Sequence, residues 1–297
     1  MFNFPAHTAP IFKNKLLQQE LEEYGYVIIP FYNEKETKLL TSFYQEHTQK
    51  NVAGFQPTTY AQSEDYRMKA SSIIKEIGIP ILDKYFENYK TYMGSFIVKY
   101  PDKNSELGVH QDMSLVDESK YMGINVWSPL CDTTEQNGAL FLIPKSHRIF
   151  PTYRNATITN IYDKEYDLIK KYMQAVYLKA GEAIIFDNSI LHYSPANQSN
   201  SIRIATNIFI THRDARITIS FHDKEKNKIE LFEEEDNFFT QYQQFTKPSN
   251  LLRPKMGKSI GFFDYNFPSL TPQVLEERYG KIKSDTIFAK FKKLISR

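Results

Sequence analysis

The feature that most constrains the fold is a change in hydrophobic pattern near residue 92. Before it, apolar residues recur at helical spacing, as Leu16, Leu17 and Leu21 do in the stretch from Phe12 to Glu23. After it, short β-branched and aromatic runs alternate with turns rich in Asn, Gly and Pro. Many short strands joined by such turns are typical of a β-sandwich or a closed double-sheet barrel. The sequence therefore predicts a mainly β core with flanking helices.

Three of the predicted helices lie in the first third of the chain. Their expected ranges are 12–23, 34–49 and 66–86. A break is expected in the third helix near Gly78-Ile79-Pro80, because proline removes a helical hydrogen-bond donor. A short strand is predicted between the first two helices, from Tyr26 to Phe31.

The predicted core strands follow from residue 93 onward. Their expected ranges are 93–100, 123–130, 139–143, 176–178, 183–186, 202–211 and 216–221, with no clear strand after the last. The polar run from Asp132 to Gly138 ends in Asn-Gly between two apolar runs. That pattern predicts a hairpin joining the strands on either side of it.

At 297 residues the chain is long enough for one large β-rich domain. Within that single domain we predict helical support over residues 1–91, the core over 92–222 and a C-terminal extension over 223–297. The extension is a candidate lid, with core packing or a dimer contact as the alternative. These possible roles are suggested by the aromatic residues of the extension, which include Phe238, Phe239, Tyr242, Phe262 and Phe263. The basic stretch over 281–297 is expected to be a solvated amphipathic helix.

Composition excludes several classes of protein. The formal net charge of +2 is too near neutral to predict binding to nucleic acid or a membrane surface. A single cysteine, Cys131, argues against disulfides or a thiolate metal site and suits a reducing cytosol. The opening Met1-Phe2-Asn3-Phe4-Pro5 lacks the basic and apolar regions of a signal peptide, and no apolar run is long enough to span a membrane. We therefore expect a cytoplasmic protein without a nucleic-acid or membrane partner.

The run His110-Gln111-Asp112 carries the predicted chemistry. In an extended strand residues i and i+2 project to the same side, so His110 and Asp112 would face one point. His192, from a distant strand, would complete a set of two histidines and one carboxylate. Such a set leaves one face of the metal open and is typical of non-heme Fe(II) oxygenases. Zinc more often takes several cysteines, or three ligands and a water. We predict these three residues as metal ligands and catalytic centre.

A series of ordered motifs covers roughly residues 20 to 211. They are Glu23-Tyr24-Gly25-Tyr26-Val27-Ile28-Ile29-Pro30, His110-Gln111-Asp112, Trp127 with the run from Thr134 through Asn137-Gly138 to Arg148, and His192-Tyr193-Ser194-Pro195-Ala196-Asn197-Gln198-Ser199 followed by Arg203. In this order they resemble the phytanoyl-CoA dioxygenase family of Fe(II)/2-oxoglutarate oxygenases, which have a double-stranded β-helix, or jelly-roll, core. Lys145 departs from the pattern, since the family usually carries glycine there.

The resemblance implies Fe(II) and 2-oxoglutarate as cofactors, with O2 as the oxidant. 2-Oxoglutarate chelates the metal at one end, and its far carboxylate needs a cation. Arg203 lies eleven residues after His192, enough to turn and return along the neighbouring strand. Its planar guanidinium can clamp a carboxylate with two parallel hydrogen bonds. The resemblance adds Ser194 and Trp127 to the predicted cosubstrate pocket.

The carboxylate of Asp112 indicates the type of reaction. Related halogenases carry glycine or alanine at this position, so a carboxylate implies oxygen transfer, with 2-oxoglutarate and O2 converted to succinate and CO2. The expected activity is hydroxylation of a small molecule, such as a natural-product intermediate, an amino acid or an acyl thioester. Desaturation and ring formation remain open. Two other functions also remain open. One is a cupin-like lyase or isomerase that uses no 2-oxo acid, although Arg203 argues against it, and the other is an inactive relative that only binds a ligand. The sequence does not indicate the oligomeric state.

Overall fold

The computed structural model describes residues 9–48, 52–149, 152–155, 157–241 and 257–280. The expectations for residues 1–5, for Tyr242 and for the helix over 281–297 concern parts of the chain outside these ranges. The helices are α1 (Lys15–Tyr24), α2 (Glu34–His47), α3 (Glu64–Tyr85), α4 (Tyr166–Lys170) and α5 (Phe238–Gln241), and residues 272–280 are also helical. None of the helices in these ranges is both long and apolar enough to span a bilayer.

The strands fall into three antiparallel sheets. They are β1 (Tyr26–Pro30), β2 (Phe55–Pro57), β3 (Tyr89–Lys99), β4 (Leu107–His110), β5 (Ile124–Pro129), β6 (Leu140–Leu142), β7 (Gln174–Val176), β8 (Glu182–Asp187), β9 (His192–Ser194), β10 (Arg203–His212), β11 (Ile217–Asp223), β12 (Lys228–Glu234) and β13 (Lys258–Phe263). The larger core sheet has the order β1-β8-β5-β10-β3-β2, and the smaller has the order β4-β9-β6-β7.

The chain passes repeatedly between the two core sheets. β3, β5, β8 and β10 belong to the larger sheet, whereas β4, β6, β7 and β9 belong to the smaller one. Apart from the β6–β7 pair, each strand from β3 to β9 is followed by a strand of the other core sheet. This winding is that of a double-stranded β-helix. The predicted mainly β, jelly-roll fold is therefore confirmed.

The N-terminal helices pack together with apolar residues of the larger sheet. Leu21 of α1, Leu40 of α2 and Ile74 of α3 are fully buried in one cluster with Phe96 of β3 and Ile208 of β10. Burial of this kind supplies most of the stability of such helices. The helices thus brace the larger sheet and leave the space between the two sheets for the site described below.

The predicted break in α3 is wrong. The helix runs unbroken from Glu64 to Tyr85, through Gly78 and Pro80. Proline removes one hydrogen-bond donor, but Ile81 and Leu82 beside it are buried, and packing outweighs that loss. Gly78 allows this close packing, because a Cβ there would lie 2.5 Å from Ile208 Cδ1 of β10.

The predicted hairpin across residues 132–138 is also wrong. The turn itself forms: Gly138 has a φ of 81°, and Asn137 Oδ1 accepts a hydrogen bond from the Thr134 amide at 2.8 Å. However, β5 on one side belongs to the larger sheet, and β6 on the other belongs to the smaller sheet. The turn signal predicts a change of direction but does not specify which sheet receives the next strand.

The strands β12 and β13 were not predicted, since β11 was expected to be the last strand. Together the three form a separate sheet in the order β11-β12-β13. β12 is rich in charged residues, and the exposed edge strand β13 buries none of its residues fully, so neither shows clear apolar alternation. The sheet is held through a buried cluster that includes Ile217, Ile219, Phe232 and Phe238.

Lys145 occupies a conformation that glycine normally favours. Its φ of 68° lies in the left-handed region. The Lys145 amide donates to the Tyr24 carbonyl at 2.8 Å, and its ammonium lies 3.1 Å from the Glu23 carboxylate. These contacts hold the left-handed turn with lysine in the position where the resembled family usually carries glycine.

Gly181 is a point where the fold has no room for a side chain. Its φ is 84°, and a Cβ would lie 2.1 Å from the carbonyl oxygen of Tyr32. We expect Gly181→Ala to lower the free energy of unfolding by about 3 kcal/mol, since backbone strain is added to a clash with a backbone atom. Urea denaturation measures this loss.

The matched control is Gly261→Ala. Gly261 has a φ of 137°, and a Cβ there would meet nothing within 4 Å. The control therefore carries conformational strain without a clash. Equal losses in the two variants would contradict the steric argument for Gly181.

Candidate metal centre

Two neighbouring strands of the smaller sheet bring the predicted ligands together. His110 on β4 lies directly opposite His192 on β9, and their ring centroids are 4.2 Å apart. A bulge between Leu107 and His110 precedes this pair. Asp112 lies just beyond the end of β4, with Oδ1 3.5 Å from His110 Nε2 and Oδ2 3.8 Å from His192 Nε2. One ligand atom from each residue lies within 4.8 Å of the others. All three predicted ligands therefore meet at one place.

Backbone carbonyls orient both imidazoles. His110 Nδ1 lies 2.7 Å from the Gly108 oxygen, and His192 Nδ1 lies 2.9 Å from the Ile190 oxygen. A carbonyl oxygen can only accept a hydrogen bond, so we assign the proton to Nδ1 in each ring. The Nε2 lone pairs are then free to bind a metal.

Asp112 is held by hydrogen bonds from three directions. Asn125 Nδ2 donates to its Oδ2 at 2.7 Å, its amide donates to the Asn188 carbonyl at 2.8 Å, and Arg154 Nε donates to its carbonyl at 2.6 Å. Asn207 Nδ2 in turn donates to Asn125 Oδ1 at 2.5 Å. Hydrogen bonds of this kind fix the geometry of ligands around metals.

Sequence reasoning missed these supporting residues. Asn125 and Asn207 lie in otherwise apolar strands, where asparagine is unfavourable, and that exception was a usable signal. Arg154 lies in a loop and carried no comparable signal.

Electrostatics leave the three side chains suited to a divalent metal. Burial, together with the charge of His110, lowers the pKa of His192 to about 4, so this imidazole is neutral near pH 7. Burial opposes ionisation of Asp112, but the positive charges that His192 and His110 carry at acidic pH outweigh it and lower the Asp112 pKa. Burial likewise lowers the pKa of His110, but the hydrogen bond and charge of Asp112 outweigh it, so the net shift is upward. Two imidazoles and an ionised carboxylate form a donor set that fits Fe(II).

Arg203, at the start of β10, is a buried cation. It is 2% exposed, and its Nε and Nη1 have no hydrogen-bond partner among the residues that the structure describes. Burial lowers its pKa to about 10, so it remains charged at neutral pH. Its guanidinium carbon lies 5.2 Å from the centroid of the Trp127 ring. A carboxylate would satisfy the free donors and the buried charge together.

Ser194 and Lys99 lie near Arg203. Ser194 is buried on β9, two residues after His192. Lys99 Nζ donates to the carbonyl oxygens of Ser194, Pro195 and Ser105 at 2.8, 2.7 and 2.6 Å. Lys99 also pairs with Arg203 across β3 and β10. Burial, and then the charge of Arg203, lowers the Lys99 pKa to about 6. Sequence reasoning missed Lys99, a single basic residue at the end of an apolar strand.

A cavity of about 250 Å³, here named the inner cleft, opens beside His110. Its lining residues include His110, Thr152, Tyr153, Asn155, Tyr265 and Phe267. Tyr265 and Phe267 come from the C-terminal extension but were not among its predicted lid aromatics. Phe238 and Phe239 pack in the cluster of the three-stranded sheet, as the core-packing alternative expected, and Phe262 is exposed.

Sequence comparisons place these motifs among known proteins. A protein-family model described as phytanoyl-CoA dioxygenase (PhyH) matches residues 21–205. The chain is 30% identical over 120 residues to a phytanoyl-CoA dioxygenase domain-containing protein 1 homolog of Dictyostelium discoideum, covering 37% of this chain and 42% of that protein. It is 27% identical over 154 residues to a phytanoyl-CoA dioxygenase of Arabidopsis thaliana, covering 50% of this chain and 51% of that protein. The matches thus span about half or less of these relatives' lengths.

Structural comparisons find more distant similarity. The carbocyclase SnoK from nogalamycin biosynthesis, described as non-heme and alpha-ketoglutarate dependent, superposes with a TM-score of 0.49 at 18% identity, covering 69% of this chain and 86% of its own. HygX from Streptomyces hygroscopicus, with nickel, 2-oxoglutarate and hygromycin B bound, superposes with a TM-score of 0.47 at 14% identity, covering 68% of this chain and 88% of its own.

Proposed function

Because the chain belongs to the phytanoyl-CoA dioxygenase family, we propose that it is a non-heme Fe(II)/2-oxoglutarate-dependent oxygenase that hydroxylates a small molecule. One oxygen atom of O2 enters the substrate as the new hydroxyl group and the other enters succinate, as 2-oxoglutarate is decarboxylated to succinate and CO2. One observation carries the proposal: the convergence of His110, Asp112 and His192 on one point, with ligand atoms within 4.8 Å of one another. Neither the substrate nor its class follows from family membership alone.

Each of the predicted site residues has a role in this proposal. His110, Asp112 and His192 would hold Fe(II), which when bound would supply the redox chemistry that activates O2. Because Asp112 would provide a carboxylate ligand where a halide would otherwise bind, oxygen transfer is favoured over halogenation. The far carboxylate of 2-oxoglutarate pairs with Arg203.

The buried surroundings of Arg203 favour binding of a carboxylate ligand. Arg203, Trp127 and Ser194 are 2%, 7% and 6% exposed, so all three side chains are largely shielded from water. Charge-assisted hydrogen bonds are stronger in such a low-dielectric environment. In the proposal Trp127 forms an apolar wall beside the guanidinium, and the Ser194 hydroxyl is a further hydrogen-bond donor. A lyase or isomerase without a 2-oxo acid would leave the guanidinium without a partner.

Trp127 provides a direct test, because it is the single tryptophan of the chain and lies beside Arg203. Adding 2-oxoglutarate to the Fe(II)-loaded protein without oxygen is expected to change tryptophan fluorescence and produce a visible charge-transfer band. Admitting air should then yield succinate. The metal-free protein is the control for the band. An unchanged spectrum and no succinate would favour the cupin-like lyase or isomerase, or an inactive binding protein.

A further inference from the structure

Two adjacent cavities lie near the candidate metal centre, and the inner cleft is the one that includes a metal ligand, His110. The inner cleft shares Thr152, Tyr153 and Tyr265 with a larger cavity of about 640 Å³, here named the outer groove. The outer groove also includes Val116, Leu231, Ile260 and Phe263. Pockets for drug-sized ligands usually occupy about 300–1,000 Å³, so the inner cleft suits one end of a ligand and the groove suits the rest.

The inner cleft offers no free cation. Apart from His110, Arg154 is the one charged side chain among the described lining residues. Its Nη1 and Nη2 donate to the Glu118 carboxylate at 2.9 and 2.5 Å, and Nη1 also donates to the Thr152 carbonyl at 2.7 Å. Its Nε is engaged by the Asp112 carbonyl at 2.6 Å. The guanidinium is therefore neutralised, and a phosphate or carboxylate would find no partner here.

One buried donor in the inner cleft lacks a partner. Asn155 is 7% exposed, and its Nδ2 has no hydrogen bond among the described residues, although its Oδ1 accepts one from the Thr157 amide at 3.4 Å. The other lining amides are engaged: Gln111 Nε2 donates to Ser189, and Asn160 Nδ2 donates to Val109. Since an unmade hydrogen bond on a buried donor is unfavourable, an oxygen acceptor from a ligand fits Asn155.

Aromatic rings form the boundary between the two cavities. The rings of Tyr153 and Tyr265 meet edge to face at 5.4 Å, and Tyr265 meets Phe267 in the same way at 4.9 Å. Phe263 lies 4.8 Å from Tyr153 on the groove side. Such walls provide flat apolar contacts for a ring-shaped ligand.

The outer groove is acidic rather than basic. Among its described lining residues are five acidic and two basic side chains: Asp117, Glu118, Asp214, Glu233 and Asp264, against Lys120 and Arg216. Both basic residues are already paired, Lys120 with Asp117 at 2.9 Å and Arg216 with Glu233 at 3.3 Å. Among the described lining residues the carboxylates outnumber the basic side chains by three, so this groove repels the phosphates of an acyl-CoA.

We propose that the inner cleft binds an uncharged, oxygen-bearing ring, such as a sugar ring, that accepts a hydrogen bond from Asn155 Nδ2. The remainder of the same substrate lies in the outer groove, and acyl-CoA thioesters are not substrates. This inference rests on the proposed oxygenase function, because it assigns the substrate class of that same site.

The test compares a neutral ring with an anionic acyl-CoA on protein loaded with Zn(II) and 2-oxoglutarate. The probes are 4-nitrophenyl β-D-glucopyranoside and butyryl-CoA, each followed by saturation-transfer NMR. We expect saturation transfer and measurable affinity for the glucoside and neither for butyryl-CoA. Asn155→Asp keeps the side-chain size but replaces the donor with an oxygen, and should weaken glucoside binding roughly tenfold.

Asn200→Asp is the matched control, since Asn200 is exposed and lies outside both cavities. Tyr265→Leu is a second variant that removes the ring boundary, and it too should weaken glucoside binding. Absent glucoside binding, tighter binding of butyryl-CoA, or equal affinity in wild type and Asn155→Asp overturns the proposal. If Asn155→Asp does not fold, equal glucoside affinity in wild type and Tyr265→Leu overturns the proposal instead. Trp127 fluorescence on 2-oxoglutarate addition, measured on the same samples, tests the oxygenase function separately.

Discussion

Replacing Asp112 with alanine is expected to lower succinate formation by at least about a hundredfold, because losing a ligand costs more than losing its hydrogen-bonded support. Asp112 is the anionic member of the three-residue set and lies within 4 Å of both imidazoles. Without it, two neutral histidines bind a ferrous ion weakly. Succinate assays and the iron retained after desalting measure the two effects.

The fold should survive this substitution. The Asp112 side chain is 32% exposed, and the hydrogen bonds from its backbone amide to Asn188 and from Arg154 to its carbonyl remain in the alanine variant. Circular dichroism should therefore match wild type. Asp65→Ala is the control, since Asp65 is an exposed residue in the first turn of α3. Undiminished turnover in Asp112→Ala would mean that the carboxylate is not a metal ligand.

Replacing Arg203 with methionine is expected to raise the KM for 2-oxoglutarate roughly ten- to a hundredfold. Hydrogen bonds to charged groups contribute about 1.5–3 kcal/mol, and each 1.4 kcal/mol corresponds to a factor of ten. Methionine keeps an unbranched chain but removes the charge and the donors. Steady-state succinate formation at varied 2-oxoglutarate measures the change.

The same substitution separates a ligand-binding role from a structural one. The guanidinium is 2% exposed and has two nitrogens without hydrogen-bond partners among the described residues, so removing it should not lower the stability of the ligand-free protein. Arg213→Met is the control, because Arg213 is exposed and lies just after the end of β10. A large loss of stability with an unchanged KM would assign Arg203 to the fold and remove it from the pocket.

The sequence predicted the features that depend on local periodicity. Alternating apolar runs predicted most core strands, and the i, i+2 spacing of His110 and Asp112 predicted that their side chains converge, even though Asp112 lies just beyond β4. Both inferences need only the geometry of an extended chain. Helical spacing likewise predicted α1 and α2 to within a few residues.

Features that depend on long-range packing were not predicted. The Asn137-Gly138 turn was visible, but the sheet that receives β6 is decided by its pairing with β7 and β9. The continuity of α3 through Pro80 depends on burial against β10, which no local rule includes. Tyr265 and Phe267 reach the inner cleft from far along the chain, and their sequence neighbours give no sign of it.

The bulge that precedes His110 has a consequence for evolution of this chain. Between the pairs Leu107–Ser194 and His110–His192, β4 advances by three residues while β9 advances by two. Because a bulge adds one unpaired residue and increases the local twist of its strand, deleting one residue from this stretch would keep His110 opposite His192 but change the direction in which the imidazole points. An insertion or deletion in this stretch would weaken iron binding. Aligned relatives that keep the three metal ligands should therefore also keep the spacing from Leu107 to Asp112.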